Sequence, residues 1–322
     1  MLNHVPLSVE LGHAGAAVRE RVGYFLSQPP ELELTLALVI VKDGAIIAEG
    51  YGPGAGVDQT FISWSMAKSM THALYGLLTL DGLLDVDEPA PVAAWQHDER
   101  RSITIQHLLN MRSGLRFAED YVDAGVSDCI AMLSGRGKAD MAAFAAGLPL
   151  DHEPGTFWNY SSGTTNILCR IAGDRIGGGR EGVANYLASR LFGPVGMTSA
   201  VAKFDGVGTF VGSSFVYATA RDFARFGLLY LNDGCVHGER ILPAGWVDHA
   251  RAAVSVPETE TYGYGAHWWL LPEFNAFSCN GYEGQRIIVL PSHNAVVVRL
   301  GKTVAANSVT LNDALHSLLR TL

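Results

Sequence analysis

The chain has 322 residues, 48% of them hydrophobic and 17% charged, with 4 Cys and a formal net charge of −9. That balance suits one large or two interwoven domains with a filled core and excludes a disordered chain. An acidic chain with no Lys/Arg run is a poor partner for nucleic acid. Its most apolar run, Leu36 to Val41, is too short to span a bilayer.

Apolar residues at helical spacing over 9–27 (Leu11, Ala14, Val18, Val22, Phe25) predict a helix that Pro29 and Pro30 stop. The opening MLNHVPLSVELGH lacks a basic n-region followed by an apolar h-region. The expected compartment is therefore the cytoplasm, unless a leader has been removed. Two strands follow, Leu34–Val41 and Ala45–Glu49, joined at Lys42-Asp43-Gly44, where a glycine suits a hairpin turn. From Ser65 the pattern is helical (Ala67, Met70, Leu74, Leu77, Leu78) until Asp81-Gly82.

A short helix is expected over Ile103 to Met111, with Thr104 near its start. Residues 112–205 mix loops with helices at Met141–Ala146, Asn166–Ile176 and Val183–Phe192. Arg221–Leu231 and Pro243–Ala250 read as two more helices. Strand character returns at Gly263–Leu271, Arg286–Leu290 and Ala295–Leu300, and an amphipathic helix covers Asn307 to Leu322. Strands thus cluster toward both ends of the chain. They predict an α+β protein whose antiparallel sheet is drawn from both ends and flanked by helices. On this reading residues 1–84 and 206–322 form the sheet region, 85–205 a mostly helical region, and the active site lies between them. No βαβ alternation supports a Rossmann fold or a TIM barrel.

Ser65-Met66-Ala67-Lys68 is the only Ser-x-x-Lys among five lysines. It follows Phe61-Ile62-Ser63-Trp64 and opens an apolar helix. At i and i+3 the two side chains share a helix face. A serine hydroxyl needs a base to become a nucleophile, and a lysine whose pKa is lowered by burial can serve. The Ser65 N–H, at a helix start, suits half of an oxyanion hole. The bland alternative is an N-capping serine with a solvated lysine.

Two further elements carry chemistry. In Pro154–Gly163 a Pro-Gly turn delivers Tyr160, whose phenol could relay a proton near Lys68 or act as a phenolate. In Cys279-Asn280-Gly281-Tyr282-Glu283-Gly284-Gln285 two glycines permit close backbone approach, with the Tyr282 N–H as the candidate second oxyanion donor.

In this order the three elements resemble the serine β-lactamase and penicillin-binding-protein superfamily, in particular its class C-type esterases and amidases. Ser65 and Lys68 match the first motif, Tyr160 the tyrosine of Tyr-x-Asn, and Cys279-Asn280-Gly281 a degenerate Lys-Thr-Gly. The resemblance extends to Ile103–Leu109 with Arg112–Leu115, and to Ala220–Leu229. Phe117–Asp123 and Gly284-Gln285 are similar to 6-aminohexanoate-dimer (nylon oligomer) hydrolases, which implies that Tyr121 contacts substrate. The resemblance implies a β-lactamase-like fold and an acyl-enzyme mechanism without a cofactor. It also implies Gly281 and Ser162 as substrate-binding positions. Ser162 and Cys279 replace the Asn and the cation of penicillin-recognising members, which favours small carboxylic esters or linear amides over β-lactams or D-alanyl peptides. A catalytically silent binding protein on the same scaffold is the alternative from another class.

An α/β-hydrolase would need Gly-x-Ser-x-Gly, which is absent. The 11 His include no His-x-His or His-x-x-x-His pair and the cysteines no C-x-x-C, so no metal site is expected and the cysteines are read as free, mostly buried thiols. The oligomeric state stays open.

Overall fold

A computed structural model describes residues 13–123, 125–258 and 260–322. Seven strands form one sheet: β1 (Leu34–Lys42), β2 (Ala45–Tyr51), β3 (Gly263–Tyr264), β4 (Trp269–Leu271), β5 (Ala276–Gly281), β6 (Gln285–Leu290) and β7 (Ala295–Lys302). Their order is β2-β1-β7-β6-β5-β4-β3, and every neighbouring pair is antiparallel. The sheet is therefore built from both parts of the sequence that carry strand character. Within it β1 pairs with β7, Val39 opposite Val298.

The runs Leu38–Val41 and Ala295–Val298 are apolar without alternation because both faces of the sheet are covered. One face packs on helices α1 (Ala16–Leu26) and α5 (Ser308–Leu319), where Phe25, Leu38, Ile40, Val297, Leu315 and Leu318 meet. On the other face Val39, Val41, Val296 and Val298 pack with Met70 of α2 (Met66–Leu80) and Phe223 and Phe226 of α4 (Ala220–Leu231). The β1–β2 turn has Asp43 at φ 51° and Gly44 at φ 79°. Two successive left-handed residues are what a two-residue hairpin turn requires. Of the helix expected over 9–27, residues 9–12 lie outside the described residues, and the described part begins at Ala16.

Between β2 and the last five strands, the largest helices besides α2 and α4 are α3 (Ser162–Ile176) and Gly179–Tyr186, which runs into a π-helical turn at Leu187–Phe192. A small sheet of Phe61–Ile62, Val216–Ala218 and Val201–Ala202 holds the segment just before Ser65. Among the described residues no helix is long and apolar enough to cross a membrane, and no group of acidic, His and Cys side chains could hold a metal ion.

Two local expectations are corrected. Gly263–Leu271 is not one strand but a hairpin: Gly265 N–H donates to the Trp268 carbonyl at 2.9 Å, and His267 turns the chain at φ 58°. Helix α3 starts at Ser162, four residues before Asn166, because the Ser161 hydroxyl caps the Thr164 N–H at 3.0 Å.

Candidate active site

Ser65 stands at the mouth of α2, and the turn that delivers it is forced. Trp64 takes φ 45°, a left-handed conformation that a bulky side chain rarely adopts. Ser63 anchors this turn. Its N–H donates to the Val216 carbonyl at 2.8 Å, and its Oγ accepts the Val216 N–H at 3.1 Å. The Ser65 hydroxyl makes no cap bond to the helix. Instead it accepts from the Lys68 Nζ at 2.9 Å.

Lys68 is only 1% exposed. Its Nζ also donates to the Ser162 Oγ at 2.8 Å and the Ser213 carbonyl at 3.0 Å. Burial pulls the Lys68 ammonium below the ordinary lysine range, and the nearby Glu119 charge works against that pull. The picture of a capping serine beside a solvated lysine is thus excluded on both counts.

Tyr160 lies beside this pair. Its ring face, not its hydroxyl, meets the Lys68 Nζ, 4.8 Å from the ring centroid. The ring packs among Trp158, Tyr264 and Trp269. Burial, reinforced by the Glu119 charge, lifts the Tyr160 phenol above its ordinary range, while the Ser65 hydroxyl acts in the opposite sense. A phenol so placed holds its proton, which removes the phenolate as a resting state.

Ser162 opens α3, and its hydroxyl bridges Lys68 to Glu119: the Ser162 Oγ donates to Glu119 Oε1 at 2.5 Å. Glu119 Oε2 accepts the Ser162 N–H at 2.7 Å, and Oε1 also accepts the Tyr121 hydroxyl at 2.7 Å. Glu119 is the residue that sequence reasoning missed. It lies within the Phe117–Asp123 segment, but nothing in its local pattern announces a contact with Ser162.

The Cys279–Tyr282 segment forms the facing wall. β4 pairs with β5 only as far as Ser278, so residues 279–281 run on as a free edge. Alternation sends the Cys279 side chain into the core, 1% exposed, while Asn280 lines the cleft. A Cβ on Gly281 would sit 2.5 Å from the Ser63 carbonyl oxygen, so only glycine lets this edge press against the Ser65 turn. The next turn is held from below. Buried Arg299 donates to the carbonyls of Glu283 at 3.2 Å and Gly284 at 3.1 Å, and Gln285 Nε2 donates to the Tyr282 carbonyl at 3.1 Å. Among the described residues the N–H groups of Ser65 and Tyr282 have no protein acceptor. The Tyr282 ring meets Trp64 edge-on at 5.7 Å and Tyr121 at 5.0 Å.

Two chambers meet at Ser65. The larger, about 510 Å³, is lined in part by Tyr160, Asn280, Arg286 and Glu260. Burial lowers the pKa of the Arg286 guanidinium and raises that of the Glu260 carboxyl. The smaller chamber, about 210 Å³, lies on the side of Cys129, Ile130, Leu133 and Phe215. The aromatic side chains of Trp64, Tyr121, Trp158 and Trp269 line these spaces, whereas Trp268 and Tyr264 belong to the core. The four cysteines are free; Cys235 is half-buried and the other three are buried.

A sheet drawn from both ends of the sequence, with a half-buried serine bonded to a buried lysine at the start of the helix beneath it, defines a serine-hydrolase-like fold of the β-lactamase type. The family model for beta-lactamase matches residues 31–319, and the chain belongs to that family. It is 28% identical over 298 residues to the 6-aminohexanoate-dimer hydrolase of Paenarthrobacter ureafaciens, covering 85% of this chain and 74% of that protein. Among solved structures it resembles a candidate 6-aminohexanoate-dimer hydrolase from Bacillus anthracis, with a TM-score of 0.80, 20% identity, and coverage of 98% of this chain and 87% of that one. It also resembles a D-stereospecific amidohydrolase from Streptomyces sp., with a TM-score of 0.68, 17% identity, and coverage of 94% and 98%.

Proposed function

We propose that this protein is a serine hydrolase that cleaves small carboxylic esters or linear amides through an acyl-enzyme on Ser65. The observation that carries this reading is the 2.9 Å contact between the Ser65 hydroxyl and a Lys68 amine shut away from solvent. In its neutral form Lys68 takes the Ser65 proton as the oxygen attacks the carbonyl carbon. The N–H groups of Ser65 and Tyr282 receive the oxyanion, which matters most in a cleft with little water. As the tetrahedral species collapses, the leaving alcohol or amine departs with a proton from Tyr160; water entering the vacated space then carries a proton from the Lys68 ammonium to the Tyr160 oxygen, since the two groups make no direct hydrogen bond. A water molecule then attacks the ester carbon and gives up its proton to the same pair, which releases the acid and restores Ser65.

We assign Ser162 to the proton network, since its hydroxyl is engaged by Lys68 and Glu119. Tyr121, 39% exposed at the meeting of the two chambers, is the contact for substrate on that side, and Gly281 lets the edge strand close on it. The placement of Cys279 in the core leaves no cation at that position, which supports esters and linear amides over β-lactams.

The test is covalent labelling. A fluorophosphonate should add its phosphonyl mass to the Ser65 peptide, and Ser65→Ala should lose both the adduct and p-nitrophenyl ester turnover. A catalytically silent binding protein would show no adduct.

A further inference from the structure

The two chambers at Ser65 differ in chemistry, and the catalytic groups are distributed unevenly between them. Ser65, Tyr121 and Tyr282 border both. Tyr160 borders only the larger one. That chamber also carries Arg286, Glu260, Asn280 and Asn312, so charged and polar groups share its wall with aromatic rings such as Trp158 and Trp269. The smaller chamber is walled by Trp64, Cys129, Ile130, Leu133 and Phe215. Three serines reach it as well, but their hydroxyls are already committed. Ser134 donates to the Ile130 carbonyl at 3.0 Å, Ser162 to Glu119 at 2.5 Å, and Ser214 pairs with Ser213 at 2.9 Å. Burial raises the pKa of the Cys129 thiol, so it lines the chamber as a neutral, weakly polar surface. No ionised side chain borders this space among the described residues.

Resting on the hydrolase reading, we infer that the smaller chamber is the acyl-chain site and that the enzyme prefers apolar acyl groups of medium length. The direction follows from the proton donor. A leaving group must depart within reach of the Tyr160 hydroxyl, which places it in the larger chamber. The acyl substituent, on the other side of the carbonyl, is then directed to the apolar one. At about 30 Å³ for each water-sized group, 210 Å³ holds roughly half a dozen carbons. An apolar chain there releases water from carbon surfaces, whereas a charged chain would lose its hydration with no partner to replace it.

The experiment compares two isomers, methyl hexanoate and pentyl acetate, which place the same carbons on opposite sides of the carbonyl. The wild type should show a kcat/KM for methyl hexanoate about tenfold or more above that for pentyl acetate, in the range that pocket contacts with methylenes supply. Leu133→Trp, which fills the chamber, should bring this ratio to about one or below. Leu133→Ala, which enlarges it, should raise methyl octanoate relative to methyl hexanoate and serves if the tryptophan variant does not fold. A wild-type ratio of one or less, or a ratio and chain-length optimum unmoved in both variants, overturns the assignment. Turnover of neither ester overturns both readings when Ser65 takes no fluorophosphonate adduct, and the chamber assignment alone when it does.

Discussion

Glu119 grips Ser162 at two points: one carboxylate oxygen accepts the Ser162 N–H at 2.7 Å and the other accepts its hydroxyl at 2.5 Å. Because that hydroxyl also accepts a hydrogen bond from Lys68 at 2.8 Å, a carboxylate lies two hydrogen bonds away from the Lys68 amine. Its charge opposes the effect of burial on Lys68.

Glu119→Gln should therefore release Lys68 to a still lower pKa. The acid limb of kcat/KM, which tracks deprotonation of Lys68 in the free enzyme, should move to lower pH. The variant also puts an amide where three donors need acceptors, at a cost of about 1–3 kcal/mol in stability. A pH–rate profile together with a urea titration reads both effects. A limb that moves to higher pH would refute the Coulombic role.

In the wild type, activity should rise with pH as neutral Lys68 becomes populated, with this limb lying below the ordinary lysine pKa. The raised Tyr160 pKa means that no loss from its ionisation should follow at mildly alkaline pH. Stopped assays from pH 5 to 10 should give a sigmoid. A bell with an alkaline limb near the ordinary tyrosine value would show that Tyr160 titrates freely.

Tyr160→Phe separates proton delivery from the rest of the machinery. Loss of a general acid should cost about 10²–10⁴-fold on a linear amide, whose amine is a poor leaving group. The same variant should lose far less on a p-nitrophenyl ester, whose phenolate needs no proton to depart. Equal losses on both substrates would assign Tyr160 a packing role only.

Gly281→Ala would place a methyl group 2.5 Å from the Ser63 carbonyl oxygen, backbone against side chain, with no flexible atom to yield. The edge strand and the Ser65 turn must then part, at about 1–3 kcal/mol. Because the Tyr282 N–H moves with that strand, kcat should fall more than KM rises. Thermal unfolding and steady-state kinetics on one preparation test this.

Three largely buried histidines should weaken the fold on acidification. His72 Nε2 lies 3.0 Å from His249 Nδ1, and His249 Nε2 lies 2.7 Å from Gln106 Oε1. Burial lowers the pKa of His72 and His249, and pushes that of His267 down to about 3. Each binds its proton more readily when unfolded, at about pH 6.5, so the unfolded state gains on acidification. Stability contributed by these residues is present above that pH and lost as the pH falls from about 6.5 toward 3. The midpoint of urea unfolding should decline across that window, and less steeply in His72→Gln.

The elements legible in the sequence were those with long, one-sided or uninterrupted patterns. The Leu34–Val41 and Ala295–Leu300 strands and the helix after Ser65 announce themselves because burial imposes a period or a continuous run. Ser65 and Lys68 were legible because one helical turn relates them. Glu119 was not, since its contact with Ser162 crosses 43 positions and depends on how two loops meet. The 263–271 hairpin was hidden because its turn places His267, not a glycine, in the left-handed region. The short helix Asp128–Leu133 escaped notice although Ser127 caps it, accepting the Ile130 N–H at 2.9 Å. Six residues show too little periodicity to stand out.

The position of β7 has a consequence for the order of events during synthesis. It sits between β1 and β6, so until Ala295–Lys302 leaves the ribosome the hairpin from the early part of the chain has no neighbour on its inner edge. The helix bearing Ser65 then has no finished surface to lie on. Turnover should appear late and abruptly on translation, and release of the chain before this strand should yield an inactive, aggregation-prone product rather than a weakened enzyme.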